Sequence, residues 1–137
     1  MPYKTDNNGR YVVHSGSRYV VVCAVKENGN SPAKDFLEEL ERLDKAKLQQ
    51  FAVLFQRIGQ DGRISNKEVF RHEEAEIWSF KRFQHRLPCF RDDNCFVLTH
   101  GFVKKESKWP RSEHDKAASI RADDLVRVSK LKKKGLR

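Results

Sequence analysis

Two apolar stripes at helical spacing, separated by a single polar break, restrict the fold of this chain more than any other feature. Phe36, Leu37, Leu40 and Leu43 form the first stripe, and Leu48, Phe51, Leu54, Phe55 and Ile58 form the second. Ser31 is placed as an N-cap with Pro32 at the first helical position, and Asp44 is placed to cap a second helix. Gly59 stands where a left-handed residue would close that helix. The spacing predicts two antiparallel helices, or one bent helix. Each stripe needs an apolar partner surface, so a second layer must exist.

Short extended runs supply that layer. "GRYVVHSGSRYVVVCAV" reads as a hairpin, or as one strand over 18–26 with a loose lead-in. After a loop with weak extended character, "GQDGRISNKEVFRHEE", three strands are expected at about 76–82, 85–91 and 94–104. "FQH" and "RDDN" supply the turns between them. Pro88 interrupts the second of these strands, because it cannot donate a ladder hydrogen bond. The stretch 111–131 carries Ala118, Ala122, Leu125 and Val128 at helical intervals. The expected order is β-α-α-β-β-β-α, an α+β fold. A small, mainly antiparallel sheet has the helical hairpin on one face and a C-terminal helix at the end. At 137 residues the chain fits one domain, with 1–17 an extra strand or flexible extension and 131–137 a basic tail.

Charge narrows the choice of partner. A formal net charge of +9 favours a polyanion, either nucleic acid or an anionic membrane, or an acidic protein. No run is apolar for long enough to span a bilayer, and "MPYKTDNNGR" lacks an apolar signal region, so a cytoplasmic protein is expected. Cys23, Cys89 and Cys95 form no CxxC pair and are expected as free thiols.

Strand alternation sorts the candidate site residues. Trp78, Phe80, Leu87 and Cys89 face the helices, whereas Lys81 and Arg86 meet on the uncovered face. The third strand ends nearby in Lys104 and Lys105, with Lys108 and Trp109 just beyond. Arginine grips two phosphate oxygens, lysine adds a point charge, and an indole stacks on an unpaired base. Basic residues at strand ends also serve simply as a solvated rim. His85, beside Arg86, is the histidine placed for proton transfer, and His100 reads as a satisfied, half-buried residue. Arg82, Lys132 and Lys133 extend the expected RNA-contacting set. Glu73, Glu74 and Glu76 read as a charged, solvated loop. No metal-ligand spacing, P-loop or nucleophile elbow occurs, so neither metal nor cofactor is expected.

Four segments in order resemble the RelE/ParE superfamily of toxins, in its HigB-like, phage-associated branch. "VKENGNSPAKDFLEEL" resembles the opening strand and helix, and "EIWSFKR" the "lWELR" strand. "HRLPCF" resembles the "yRxxyf" strand, and "FVLTHGFVKKESKWP" resembles "xxLxHGFxKKxxKxP". The match spans about residues 18–131. The resemblance implies a RelE-like fold and a toxin paired with a helix-turn-helix antitoxin, with operator DNA contacted only through that antitoxin. It further implies a ribosome-dependent endoribonuclease acting on mRNA. Arg86 falls on the "yR" arginine, Lys81 on the "WELR" arginine, and Lys104 and Lys105 on the "KK" pair. Lys108 and Pro110 fall on the "KxP" tail. Ser79 stands at the "WELR" glutamate and His85 at the "yR" tyrosine. Two alternatives stay open: a non-enzymatic toxin of the same fold acting on a protein such as gyrase, and a basic RNA-binding module.

Overall fold

The computed structural model describes residues 3–135. β1 (Tyr11–Ser15) and β2 (Val20–Cys23) form an antiparallel hairpin, followed by α1 (Pro32–Leu43) and α2 (Lys45–Asp61). β3 (Phe70–Glu74), β4 (Ile77–Arg82), β5 (His85–Asp92), β6 (Cys95–Leu98) and β7 (Phe102–Val103) come next, and α3 (Arg111–Lys133) ends the chain. The sheet runs β1-β2-β6-β5-β4-β3, with β7 also on β5, and every pairing is antiparallel except β2 with β6. The helical hairpin lies on one face, so the fold is α+β and mainly antiparallel.

The helical hairpin forms where the two stripes place it, except that Leu43, at the end of α1, is exposed rather than part of the buried stripe. Asp44 caps α2 by accepting from the Lys47 amide at 3.1 Å. Leu37, Leu40, Phe51, Leu54, Phe55 and Ile58 are buried against Val21, Phe80, Leu87 and Leu98 of the sheet. The Phe55 and Phe80 rings meet edge to face at 5.2 Å. Burying each such side chain contributes about 1.5–3 kcal/mol. Ser31 does occupy the N-cap of α1, but its hydroxyl donates to the Ala24 carbonyl at 2.7 Å rather than capping the helix.

Several expectations need correction. Gly59 does not end α2, which runs on to a left-handed Gly62 at φ 74°. Gly59 is there for close approach: a Cβ on Gly16 would lie 2.4 Å from its backbone. The Arg18 and Tyr19 amides donate to its carbonyl at 3.0 and 2.9 Å. The segment 70–74, read as the end of a loop with weak extended character, is edge strand β3. The single strand expected over 94–104 is two, β6 and β7, broken at Thr99–Gly101. Pro88 does not interrupt β5; its missing donor coincides with that break, and its carbonyl accepts from the Thr99 amide at 2.9 Å. Trp78 points toward the helices yet is 41% exposed, because α2 ends short of it.

α3 shows the largest correction. Its buried residues are Ala117, Ile120, Asp124 and Val128; of the expected stripe Val128 is buried and Leu125 half-buried, whereas Ala118 and Ala122 are exposed. Ala117 and Ile120 pack with Val22, Ile77, Phe90 and Val97 on the face opposite the helical hairpin. That face is therefore not wholly free. Asp124 is fully buried and binds the equally buried Arg10, whose Nε and Nη2 lie 3.0 and 2.6 Å from its Oδ2. It also accepts from the Val25 amide at 2.9 Å and from Arg127 Nη2 at 3.2 Å. Arg10 Nη1 stands 2.9 Å from Asp92 Oδ2. One carboxylate thus ties the N-terminal segment, the end of β2 and the last helix together.

Residues 131–133, expected in a frayed tail, are helical, whereas 136–137 lie outside the described residues. Cys23 and Cys89 are free and buried, and burial pushes both thiols well above the usual range. Among the described residues no helix is long and apolar enough to cross a membrane.

Candidate functional site

Lys81 and Arg86 are directly opposed partners of the β4–β5 ladder. Like charges so placed oppose sheet pairing, so both need compensation from their surroundings. Arg86 is only 5% exposed, and its Nη1 donates to the carbonyls of Phe83 and His85 at 2.5 and 3.0 Å. Those bonds brace the β4–β5 turn, where Phe83 takes a φ of 53°. Lys81 Nζ reaches the Lys67 carbonyl at 3.5 Å. Partial burial, then Arg86, then Arg71 draw the Lys81 pKa below the usual lysine value, against the pull of Glu73 and Glu68.

The two cations share a hollow of about 280 Å³ with Arg71, Lys104, Lys108, Ser107, Trp109, His114 and Glu73. It lies where α3 leaves the sheet uncovered. β3 and β4 supply its floor, β5 supplies Arg86, and the turn after β7 closes it. Five cationic side chains face one carboxylate. Trp109 is held edge-on by Phe102 at 5.0 Å and tilted against His114 at 4.8 Å. His114 Nδ1 has no hydrogen-bond partner, and Glu74 Oε1 stands 4.0 Å away. Glu74 in turn pairs with Arg111 at the start of α3, fixing that helix against the end of β3.

Of the residues expected from sequence, the structure brings Lys81, Arg86, Lys104, Lys108 and Trp109 together. Lys105 is exposed and outside the lining. His85 does not reach the hollow. Alternation puts it on the helical face, tilted against Phe36 of α1 at 6.1 Å, where burial and then Lys47 lower its pKa. Arg82 faces the same way and lines a recess with Gln49, Val53 and Arg57 of α2. Lys132 and Lys133 end α3, roughly 30 Å along its axis from Arg111 at 1.5 Å per residue.

His100 is fully buried, its Nε2 2.9 Å from Glu113 Oε1 and its Nδ1 3.0 Å from Thr99 Oγ1. Burial lowers its pKa to about 4, although the Glu113 hydrogen bond opposes the shift. This buried pair supports the start of α3 beside the hollow.

Four residues of the hollow escaped the sequence reading: Arg71, Glu73, Ser107 and His114. Arg71 and Glu73 lie on β3 and alternate with Phe70 and His72. Glu73 is not solvated: its side chain is 8% exposed and accepts from Ser79 Oγ at 2.5 Å, with Arg71 Nε 3.7 Å away. The signal was the period-2 pattern of "FRHE", masked by the acid-rich "EEAE" that follows.

No curated protein matches the chain. A comparison with protein families matches residues 38–121, from the middle of α1 to the middle of α3, to the description "Phage derived protein Gp49-like (DUF891)". The match covers well over half of the chain and includes every strand from β3 onward as well as the whole of the hollow. The chain therefore belongs to the Gp49-like family of phage-derived proteins.

Proposed function

We propose that this protein is the toxin of a toxin–antitoxin pair and acts as a ribosome-dependent mRNA endoribonuclease. The observation that carries the reading is the hollow over β3–β5, where five cations stand against one carboxylate. Cations rather than aliphatic side chains line it, which favours a phosphodiester over contact with a protein such as gyrase. Membership of the Gp49-like family and the resemblance to HigB-like toxins support the same reading. That resemblance makes a helix-turn-helix antitoxin the expected partner and the cytoplasm the expected place of action.

The reaction needs only groups of this chain and the RNA. The ribose 2′-oxygen attacks the adjacent phosphorus while Lys81 takes its proton, a role helped by its lowered pKa. Arg86, fixed by two carbonyls, stabilises the charge that develops on the phosphoryl oxygens, and Arg71 and Lys104 add to it. The P–O5′ bond breaks, and the leaving oxygen takes a proton. His114, the histidine lining the hollow, fills the acid role that His85 cannot reach. The products are a 2′,3′-cyclic phosphate and a 5′-hydroxyl. Ser79 stands where the resembling strand motif has glutamate, and Glu73 returns a carboxylate to that place through its hydrogen bond to Ser79. Substrate geometry comes largely from the ribosome, so positioning supplies much of the rate.

Primer extension on mRNA after brief induction tests the proposal, comparing the parent with Lys81→Met and Arg86→Ala. Removing one such group is expected to cut cleavage by about 10²-fold or more. Arg86→Ala also loosens the β4–β5 turn, so thermal unfolding must accompany it; Lys81→Met leaves those carbonyl bonds intact. Unchanged cleavage in both folded variants removes the hollow from the reaction.

A further inference from the structure

A second hollow lies on the opposite face of the sheet. α2 stops at Asp61, the chain turns at Gly62, and the ends of β3–β6 beyond it are left uncovered. The space measures about 710 Å³ and lies between the 62–67 loop and the sheet. Its floor is aromatic. Phe70 and Trp78 stack at 5.3 Å with their planes 17° apart, and Phe96 meets Phe70 edge-on at 6.3 Å. Phe70 and Phe96 are buried, whereas Trp78 opens to solvent.

The rim is cationic: Arg63, Lys67, Arg71 and Arg91, with no Asp or Glu among the lining residues. Arg91 is engaged, its guanidinium lying over the Tyr19 ring at 4.6 Å and its Nε donating to the Asp93 carbonyl at 2.7 Å. The side-chain cations of Arg63 and Lys67 have no acidic partner among the described residues. An inorganic anion would have no use for an exposed indole stacked on a phenyl ring. An aliphatic peptide would have no use for unpaired cations around it. A flat aromatic group carrying phosphates uses both.

We propose that this hollow binds an unpaired segment of single-stranded nucleic acid, with a base stacked on Trp78 and phosphates on Arg63 and Lys67. It stands apart from the nuclease reading. The two hollows share only Arg71, at the β3 edge, and nucleic acid held here needs no chemistry at Lys81.

The full chain carrying Trp109→Phe leaves Trp78 as its sole tryptophan. Titration with a six-nucleotide polyadenosine RNA should quench Trp78 emission saturably, and a duplex of the same length should not, because its bases are already stacked. Arg63→Glu with Lys67→Glu, both on an exposed loop, should weaken the RNA by at least tenfold and flatten its salt dependence by roughly 0.7 per lost phosphate contact. Lys81→Met should leave the quenching unchanged. Absence of quenching overturns the proposal, as does quenching that Lys81→Met abolishes but the loop variants do not. Equal quenching by an acidic peptide that competes with the RNA overturns it in favour of a protein partner.

Discussion

Asp124→Ala is the substitution whose cost follows most directly from the structure. The carboxylate is fully buried and receives Arg10 Nε and Nη2 at 3.0 and 2.6 Å, the Val25 amide at 2.9 Å and Arg127 Nη2 at 3.2 Å. Removing it leaves a fully buried guanidinium with Asp92 alone, itself partly exposed, and strands a buried amide. An unpaired buried charge costs about 3–5 kcal/mol, and an unsatisfied buried amide about 1–3 kcal/mol. The two overlap through local relaxation, so about 4 kcal/mol is expected, a large share of the 5–15 kcal/mol typical of a domain. Urea unfolding at pH 7 gives the cost directly. Arg10→Met also leaves a buried charge, but the Asp124 carboxylate keeps the Val25 amide and Arg127 Nη2, so it should cost less than Asp124→Ala. The double variant should recover at least about 2 kcal/mol relative to the sum of the singles. A cost below about 1 kcal/mol for Asp124→Ala, or additive singles, would refute the idea that this pair ties the termini to the sheet.

The remaining expectations concern pH and RNA affinity. His100 has a folded pKa of about 4 against about 6.5 when unfolded. Below pH 6.5 the unfolded chain binds more protons, so this contribution is complete above pH 6.5 and is lost as pH falls toward 4. About 2–3 kcal/mol should disappear over that window in denaturant melts, and His100→Gln should flatten that part of the profile; an unchanged profile would reject the assignment. Glu73→Gln keeps an acceptor for Ser79 while removing the one carboxylate of the cationic hollow. One charge at about 7 Å in a half-solvated site is worth about 1 kcal/mol. Anisotropy with short single-stranded RNA should show about fivefold tighter binding at low salt, converging on the parent at high salt. Equal affinities at low salt would place the RNA elsewhere.

The sequence exposed those parts of the fold that obey a single period. The α1 and α2 stripes repeat every three to four residues without a polar interruption, and the hairpin follows from them. β4 and β5 alternate, so the meeting of Lys81 with Arg86 was legible from parity alone. The same parity turns Arg82 and His85 to the helical face, and assigning them to the site overlooked it. α3 was misread in part, with Val128 placed correctly but Ala118 and Ala122 not, because its buried stripe contains an aspartate whose arginine partner lies 114 residues away. Gly59 was misread because close packing against Gly16 and a left-handed turn leave the same residue in a sequence. Glu73 was missed because an edge strand rich in acids has the composition of a loop.

Both hollows come from the same mismatch between helix cover and sheet size. Between β1 and β3 the six-strand path spans roughly 24 Å at about 4.8 Å per strand. A helix with its side chains is about 10 Å wide, so the hairpin of α1 and α2 covers most of that width, whereas the single α3 covers less than half. α3 packs over Val22, Val97 and Phe90 of β2, β6 and β5, reaching only Ile77 at the start of β4. The rest of β4, β3 and the start of β5 therefore open into the hollow on that face, where Arg71 and Lys81 reach solvent and the nearly buried Glu73 and Arg86 are offset by Ser79 and by the Phe83 and His85 carbonyls. On the hairpin face the width is covered, but α2 ends at Gly62, and the strand ends beyond it keep their aromatic side chains within reach of solvent. One face thus exposes a cationic floor and the other an aromatic floor, and the difference between them was set by where the helices stop.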